Sequence, residues 1–242
     1  MVLNVSHLTG GYSLIPVLKD LSFEVQAGEL VGLIGLNGAG KSTTINHIIG
    51  LLTPQAGEIK VDNLLLAENM QGYRKAIAYI PETPVLYPEL TLKEHIEMTI
   101  LAYELDEKTA WEKAHELLQL FRLEERLDWF PANFSKGMKQ KVMIVCAFML
   151  DAKLYIIDEP FVGLDPLAIR DLLQLIEQKK TQGAAILMST HVLSTAEQTC
   201  DRFVMIDQGQ LKASGTLAEL QNEYQTYGDN LADIYLGLTQ GA

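Results

Sequence analysis

The sequence predicts an α/β fold in which a mostly parallel sheet is flanked by helices. Three observations predict it. Short β-branched, apolar runs alternate with helical periodicities from end to end. The run Leu30 to Ile34 passes straight into Gly-Leu-Asn-Gly-Ala-Gly-Lys-Ser, and the run Leu154-Tyr155-Ile156-Ile157 ends abruptly in Asp158-Glu159. With 242 residues, 48% hydrophobic and 21% charged, the chain can bury a core and fits one compact domain.

Taken in order, Leu30 to Ile34 is the first buried strand. The helix after the glycine-rich loop carries Ile45, Ile48, Ile49 and Leu52 at i, i+3, i+4 and i+7, with Pro54 as its stop. From Thr91 the period turns helical for a long stretch. Thr91 and Glu94 are spaced as a capping box, and Trp111, Ala114, Leu118 and Phe121 continue the pattern. Strands return at Leu154 to Ile157, Ala185 to Met188 and Arg202 to Ile206, with a helix carrying Ile169, Leu172, Leu173 and Ile176 between the first two. Asp207-Gln208-Gly209-Gln210 is a hairpin turn, and the tail beyond 217 is helical with an interruption at Gly228-Asp229. The expected organisation is a core of 1–82 and 151–217, a helical subdomain over 83–150 and a helical tail over 218–242.

The formal net charge of −12 argues against a nucleic-acid partner, since such binders neutralise phosphates with Lys and Arg. Cys146 and Cys200 lie far apart without CxxC or His-rich company, which fits two reduced structural thiols. The sequence carries neither a signal-peptide pattern at its start nor an apolar run of about 18 residues. The expected location is therefore the cytoplasm, and any work at a membrane requires another polypeptide to cross it.

Gly35 to Ser42 matches G-x-x-x-x-G-K-[ST] in the required context, after a strand and before a helix. Glycines let the backbone amides of Asn37, Gly38, Ala39 and Gly40, continuing to Thr43, curl around phosphate oxygens, and the helix dipole adds to that field. Lys41 supplies a full charge to the β- and γ-phosphates, and Ser42 offers a hydroxyl to Mg²⁺. The expected architecture is thus a P-loop NTPase core. Asp158 and Glu159 arrive at the carboxyl end of their strand, where ligands of such sheets bind. Asp158 is placed to hold Mg²⁺ and Glu159 to deprotonate the attacking water. His191, at the end of the next strand, can contact the γ-phosphate. A bare glycine turn before Lys-Ser, a polar Asp-Glu loop and a surface histidine are the competing readings, and their joint occurrence in this order disfavours them.

In this order the motifs resemble the nucleotide-binding subunit of ABC transporters. The decisive addition is Phe134-Ser135-Lys136-Gly137-Met138-Lys139-Gln140, which resembles the ABC signature. The resemblance covers nearly the whole chain and implies an N-terminal antiparallel β portion, Tyr12 stacking on adenine, and Gly163-Leu164-Asp165 as the D-loop. It also implies a head-to-tail pair of cassettes, each ATP lying between one P-loop and the opposite signature, with Ser135 and Gly137 facing the partner's nucleotide. Ser135 is also an N-cap candidate for a helix carrying Met138, Val142, Val145 and Met149, so its first amides form an anion site.

Two motifs depart from the usual pattern. Lys136 and Met138 replace the commoner Gly and Gln, a form similar to exporter-like cassettes with ABC-2 type membrane subunits; the Asp233-Ile234-Tyr235-Leu236 tail is similar to exporter-type cassettes too. Glu82 stands where the family has a glutamine touching Mg²⁺ and the attacking water. The segment Tyr79 to Tyr87 is similar to the Ecs-type cassettes of Gram-positive bacteria. The resemblance implies an ATPase that energises a separate integral membrane permease from the cytoplasmic face of the membrane. Pro84, Val85, Leu86, Tyr87 and Leu90 offer an apolar surface for that partner. The rival reading is a soluble ABC ATPase acting on translation, DNA repair or cofactor assembly. A P-loop kinase or GTPase is disfavoured by the signature and by the missing Asn-Lys-x-Asp motif.

Overall fold

The computed structural model describes residues 1–240, so residues 241 and 242 of the expected tail lie outside the described residues. The chain runs β1 (Leu3–Gly10), β2 (Leu18–Val25), β3 (Leu30–Ile34), α1 (Lys41–Ile48), β4 (Ala56–Val61), β5 (Leu64–Leu65), α2 (Met70–Lys75) and β6 (Ile77–Ile80). It continues through α3 (Leu92–Tyr103), α4 (Glu107–Phe121), α5 (Lys136–Phe148), β7 (Leu154–Asp158), α6 (Pro166–Thr181), β8 (Ala185–Thr190) and α7 (Leu193–Thr199). The last elements are β9 (Arg202–Asp207), β10 (Gln210–Gly215), α8 (Leu217–Glu223) and α9 (Leu231–Gln240).

Two sheets form. The first, in order β2-β1-β4-β5, is antiparallel and N-terminal. In the second, β10-β9-β3-β8-β7-β6, every neighbouring pair is parallel except the β9–β10 hairpin. Strand β7 shows why its sequence is a continuous apolar run instead of an alternating one. Leu154 and Ile156 face a core shared with the first sheet and α1, whereas Tyr155 and Ile157 face a core built from α3 to α6. A strand covered on both faces needs apolar residues at every position.

The register decides the function. Ile34 pairs with Thr190 and Asp158 with Ser189, so β3, β7 and β8 end side by side. Whatever follows these strands must meet at one edge of the sheet.

Helices α3, α4 and α5 are inserted between the neighbouring parallel strands β6 and β7. Thr91 and Glu94 form the expected capping box: the Glu94 amide donates to Thr91 Oγ1 at 3.2 Å and the Thr91 amide to Glu94 Oε2 at 2.6 Å. In α4 the buried stripe is Ala110, Ala114, Leu117, Leu118 and Phe121, while Trp111 flanks it half-buried. Burying each of its large side chains contributes about 1.5–3 kcal/mol.

One helix end differs from the sequence expectation. Helix α1 stops at Ile48 and not at Pro54, because Gly50 takes φ 75° and its amide turns back to the His47 carbonyl at 3.1 Å. Leu52 therefore lies outside the helix. Glycine at this left-handed position ends a helix at little cost, and periodicity alone did not weigh it. Among the described residues both cysteines are free, and burial pushes their thiols up to about 11 for Cys146 and about 12 for Cys200. Raised thiols of this kind fit structural cysteines.

Candidate functional site

At the edge where β3, β7 and β8 end lies a cleft of about 340 Å³. It is lined by Tyr12, Asn37, Gly38, Gly40, Lys41, Ser42, Thr43, Glu82, Asp158, Glu159 and His191, joined by Val17 and Leu36. Most residues singled out from the sequence thus converge on one place.

The loop from Gly35 to Ser42 is set by its backbone. Gly40 is the N-cap of α1 with φ 113°, a left-handed conformation that a side chain disfavours. No side chain caps α1, and its first turn holds no acid, so its amides are left to a ligand. Ala39 behaves differently from the expectation: its amide donates to the Leu36 carbonyl at 3.0 Å within the loop, and its side chain is buried outside the cleft. Lys41 is 7% exposed; its Nζ donates to the Gly35 carbonyl at 2.8 Å and lies 3.7 Å from Glu159 Oε1. Ser42 is exposed to the cleft.

Across from the loop, Asp158 is buried and its Oδ1 accepts the Ser189 hydroxyl. Burial pushes its carboxyl above the usual range, Ser189 opposes that, and the Glu159 and Glu82 carboxylates raise it further. Glu159 has φ 47° and its amide donates to the Ser189 carbonyl at 3.1 Å. A left-handed non-glycine residue costs on the order of 1–3 kcal/mol, and here it turns the carboxylate back toward Lys41. Glu159 Oε1 accepts from His191 Nδ1 at 2.8 Å. Glu82, exposed, follows β6 and Pro81 into the same cleft. Three carboxylates and one ammonium therefore line the cleft, a donor set of hard oxygens deficient in positive charge. Among the described residues no group of three or more His, Cys, Asp or Glu can hold a metal unaided. A cation here would need phosphate oxygens as further ligands.

Tyr12 is 65% exposed at the mouth, where its hydroxyl accepts from Asn46 Nδ2 at 3.1 Å. That bond fixes the ring without covering its face.

Ser135, Gly137 and Asp165 do not line this cleft. They gather where α5 meets α6. Ser135 is the N-cap of α5, its Oγ accepting from the Met138 amide at 3.3 Å. A Cβ on Gly137 would lie 2.3 Å from the Gly163 carbonyl oxygen, so only glycine lets the two backbones approach. Asp165 is the N-cap of α6, and Lys141 Nζ meets its Oδ2 at 2.8 Å. Sequence reasoning missed Lys141 and Gln140; the latter is buried and donates to the Pro81 carbonyl at 3.2 Å, tying α5 to the residue before Glu82. Gln140 ends the signature-like segment, but no local pattern marks the contact either residue makes, since their partners are distant in sequence.

Residues 18–162 match the model of the ABC transporter family. The chain is 55% identical over 239 residues to the ABC-type transporter ATP-binding protein EcsA of Bacillus subtilis (strain 168), covering 99% of this chain and 97% of that protein. The chain belongs to the ABC transporter family. It is an ATP-binding subunit, and an ABC ATPase. A solved ATP-binding subunit of an ABC transporter superposes with TM-score 0.96 at 54% identity, covering 99% of this chain and 100% of that one. The ATP-binding cassette MJ0796, solved as a dimer in a post-hydrolysis state with ADP and Pi, superposes with TM-score 0.78 at 25% identity, covering 88% of this chain and 98% of that one. ABC ATPase subunits in general dimerise and work with membrane permeases. Among the described residues no helix of this ABC subunit is long and apolar enough to cross a membrane.

Proposed function

We propose that two copies of this chain close head to tail on two ATP molecules with Mg²⁺ and so energise a separate integral membrane permease. The observation that carries the reading is the split between the two groups of motif residues. Tyr12, the P-loop, Glu82, Asp158, Glu159 and His191 share one cleft, whereas Ser135 and Gly137 present a helix N-terminus elsewhere. Each cleft is then half of a site, and the opposite copy's signature completes it, with Asp165 on the D-loop between the two.

Within the site, the Tyr12 ring stacks on adenine while the α1 amides and Lys41 hold the phosphates. Ser42, Asp158 and Glu82 are the oxygen donors that fit Mg²⁺, and bound Mg²⁺ would neutralise charge on the β- and γ-oxygens. Glu159 accepts a proton from water as its oxygen bonds to the γ-phosphorus. The bond from that phosphorus to the β–γ bridging oxygen breaks, and ADP leaves with the electron pair. His191, next to Glu159 at 2.8 Å, holds that carboxylate and contacts the γ-phosphate.

We place residues 83–150 as a helical subdomain moving against a core of 1–82 and 151–217, with 218–242 as the tail. Glu82 sits at the junction, and Gln140 fastens α5 to its neighbour Pro81. Val85 and Tyr87 are exposed beside it, and the loop carrying exposed Trp129 and Phe130 abuts α3 through the Leu92 amide and the Trp129 carbonyl. This apolar surface suits a short permease helix, which would hold the chain at the cytoplasmic face of the membrane. Purification from mild detergent with a non-hydrolysable ATP analogue, followed by mass spectrometry, is expected to yield a stoichiometric polytopic membrane protein. Ribosomal or DNA-repair partners in its place would overturn the permease assignment and leave the ATPase standing.

The Glu82→Gln variant is expected to keep ATP affinity within about threefold, since Glu82 contributes no P-loop contact, while shifting turnover at least about twofold by removing one of three carboxylates. Steady-state ATPase assays and nucleotide titration check both. Complete loss of nucleotide binding would make Glu82 a nucleotide-holding residue and remove it from the role of a junction between core and subdomain.

A further inference from the structure

Helix α9 reaches the nucleotide site from the far end of the chain. Tyr235 on α9 is fully buried in a cluster with Ile34, the last residue of β3, and with Phe203 and Met205 of β9. Its hydroxyl accepts from the Leu36 amide at 3.0 Å and donates to the Ile206 carbonyl at 3.2 Å. Burial holds the phenol above its ordinary range, so it stays protonated and can donate. Leu36 is the second residue of the phosphate-binding loop and lines the cleft. Helix α9 is anchored at its start as well: the Leu231 amide donates to Glu197 Oε2 at 2.7 Å on α7, the helix that follows His191.

We infer that Tyr235 is a positioning residue for the phosphate-binding loop, through which the C-terminal helix holds the loop's entry in the conformation that takes ATP. A phenylalanine would fill the same space, so packing alone does not call for the hydroxyl. The hydroxyl satisfies one donor on the loop and one acceptor on β9, beside the point where Gly35 packs on Ile206. Without it, the nucleotide-free loop visits other conformations, and apparent affinity falls with the fraction that remains competent. Once ATP is bound its own contacts order the loop, so chemistry at saturation is spared. The inference presupposes that ATP binds at this loop; wild-type protein failing to bind would sink that premise, not this step.

The test compares the full chain with its Tyr235→Phe variant by titrating a fluorescent ATP analogue, by steady-state kinetics and by amide hydrogen exchange. Kd and KM are expected to rise about fivefold, the factor one net hydrogen bond is worth. The kcat should change less than about twofold, and exchange at the Leu36 amide in the nucleotide-free protein should speed up at least about fivefold. Fitting the number of sites together with Kd keeps an unfolded fraction from passing as weaker binding. Unchanged affinity, or unchanged exchange at Leu36, overturns the assignment, including the case where only the unfolding temperature falls.

Discussion

Replacing Lys41 with alanine is expected to weaken ATP binding at least about thirtyfold, because truncating one partner of a buried charge pair costs about 2–5 kcal/mol. The side chain is 7% exposed and points along the loop, donating to the Gly35 carbonyl at 2.8 Å. In that low-dielectric position its charge is poorly screened and acts strongly on phosphate oxygens. The same substitution leaves Glu159 with His191 as its remaining partner, so a modest loss of stability of about 1 kcal/mol should accompany the loss of binding. Calorimetric titration with ATP, run beside thermal unfolding of the free protein, separates the two effects. Binding within about threefold of wild type would mean that the α1 amides alone hold the phosphates. A Lys41→Arg variant should also bind weakly, since a forked guanidinium does not fit a slot shaped for a single ammonium.

The cleft was legible because its residues are short in sequence and rigid in consequence. Gly35 to Ser42 is a motif whose shape is set by backbone geometry, and the strand run before Asp158 delivers its acid to the sheet edge whatever lies around it. The parallel register then brings Ser189 and His191 alongside without any further sequence signal. What was not legible depends on contacts between distant segments. The bond from Tyr235 to Leu36 spans 199 residues, and that from Gln140 to the Pro81 carbonyl spans 59. Neither leaves a periodicity. The early end of α1 was misread for a different reason: apolar spacing at Ile49 and Leu52 continued past Gly50, and local backbone geometry outweighed it. Glu159 shows the same competition, since no sequence rule announces its left-handed backbone, yet that conformation turns the carboxylate toward Lys41 and His191.

Replacing Glu159 with glutamine is expected to keep ATP binding, lower hydrolysis by about two to three orders of magnitude, and trap a nucleotide-bound dimer. Glutamine preserves the size of the side chain and an oxygen to accept from His191 Nδ1, so the local structure should persist. On the proposed mechanism it removes the one feature the reaction needs there, a group able to take a proton from water. Binding is spared for an electrostatic reason: Glu159 Oε1 lies 3.7 Å from Lys41 Nζ and competes with phosphate for that ammonium. With the carboxylate gone, two acids in place of three line the cleft that ATP would enter, and affinity should equal or exceed that of the wild type. ATP then stays intact between the P-loop of one copy and Ser135 of the other, and the pair does not part. Size-exclusion chromatography in ATP and Mg²⁺ should show a dimer for Glu159→Gln where the wild type returns to monomer on hydrolysis. Turnover of ATP at the wild-type rate, with no trapped dimer, would place the proton acceptor on another residue, with His191 the nearest candidate.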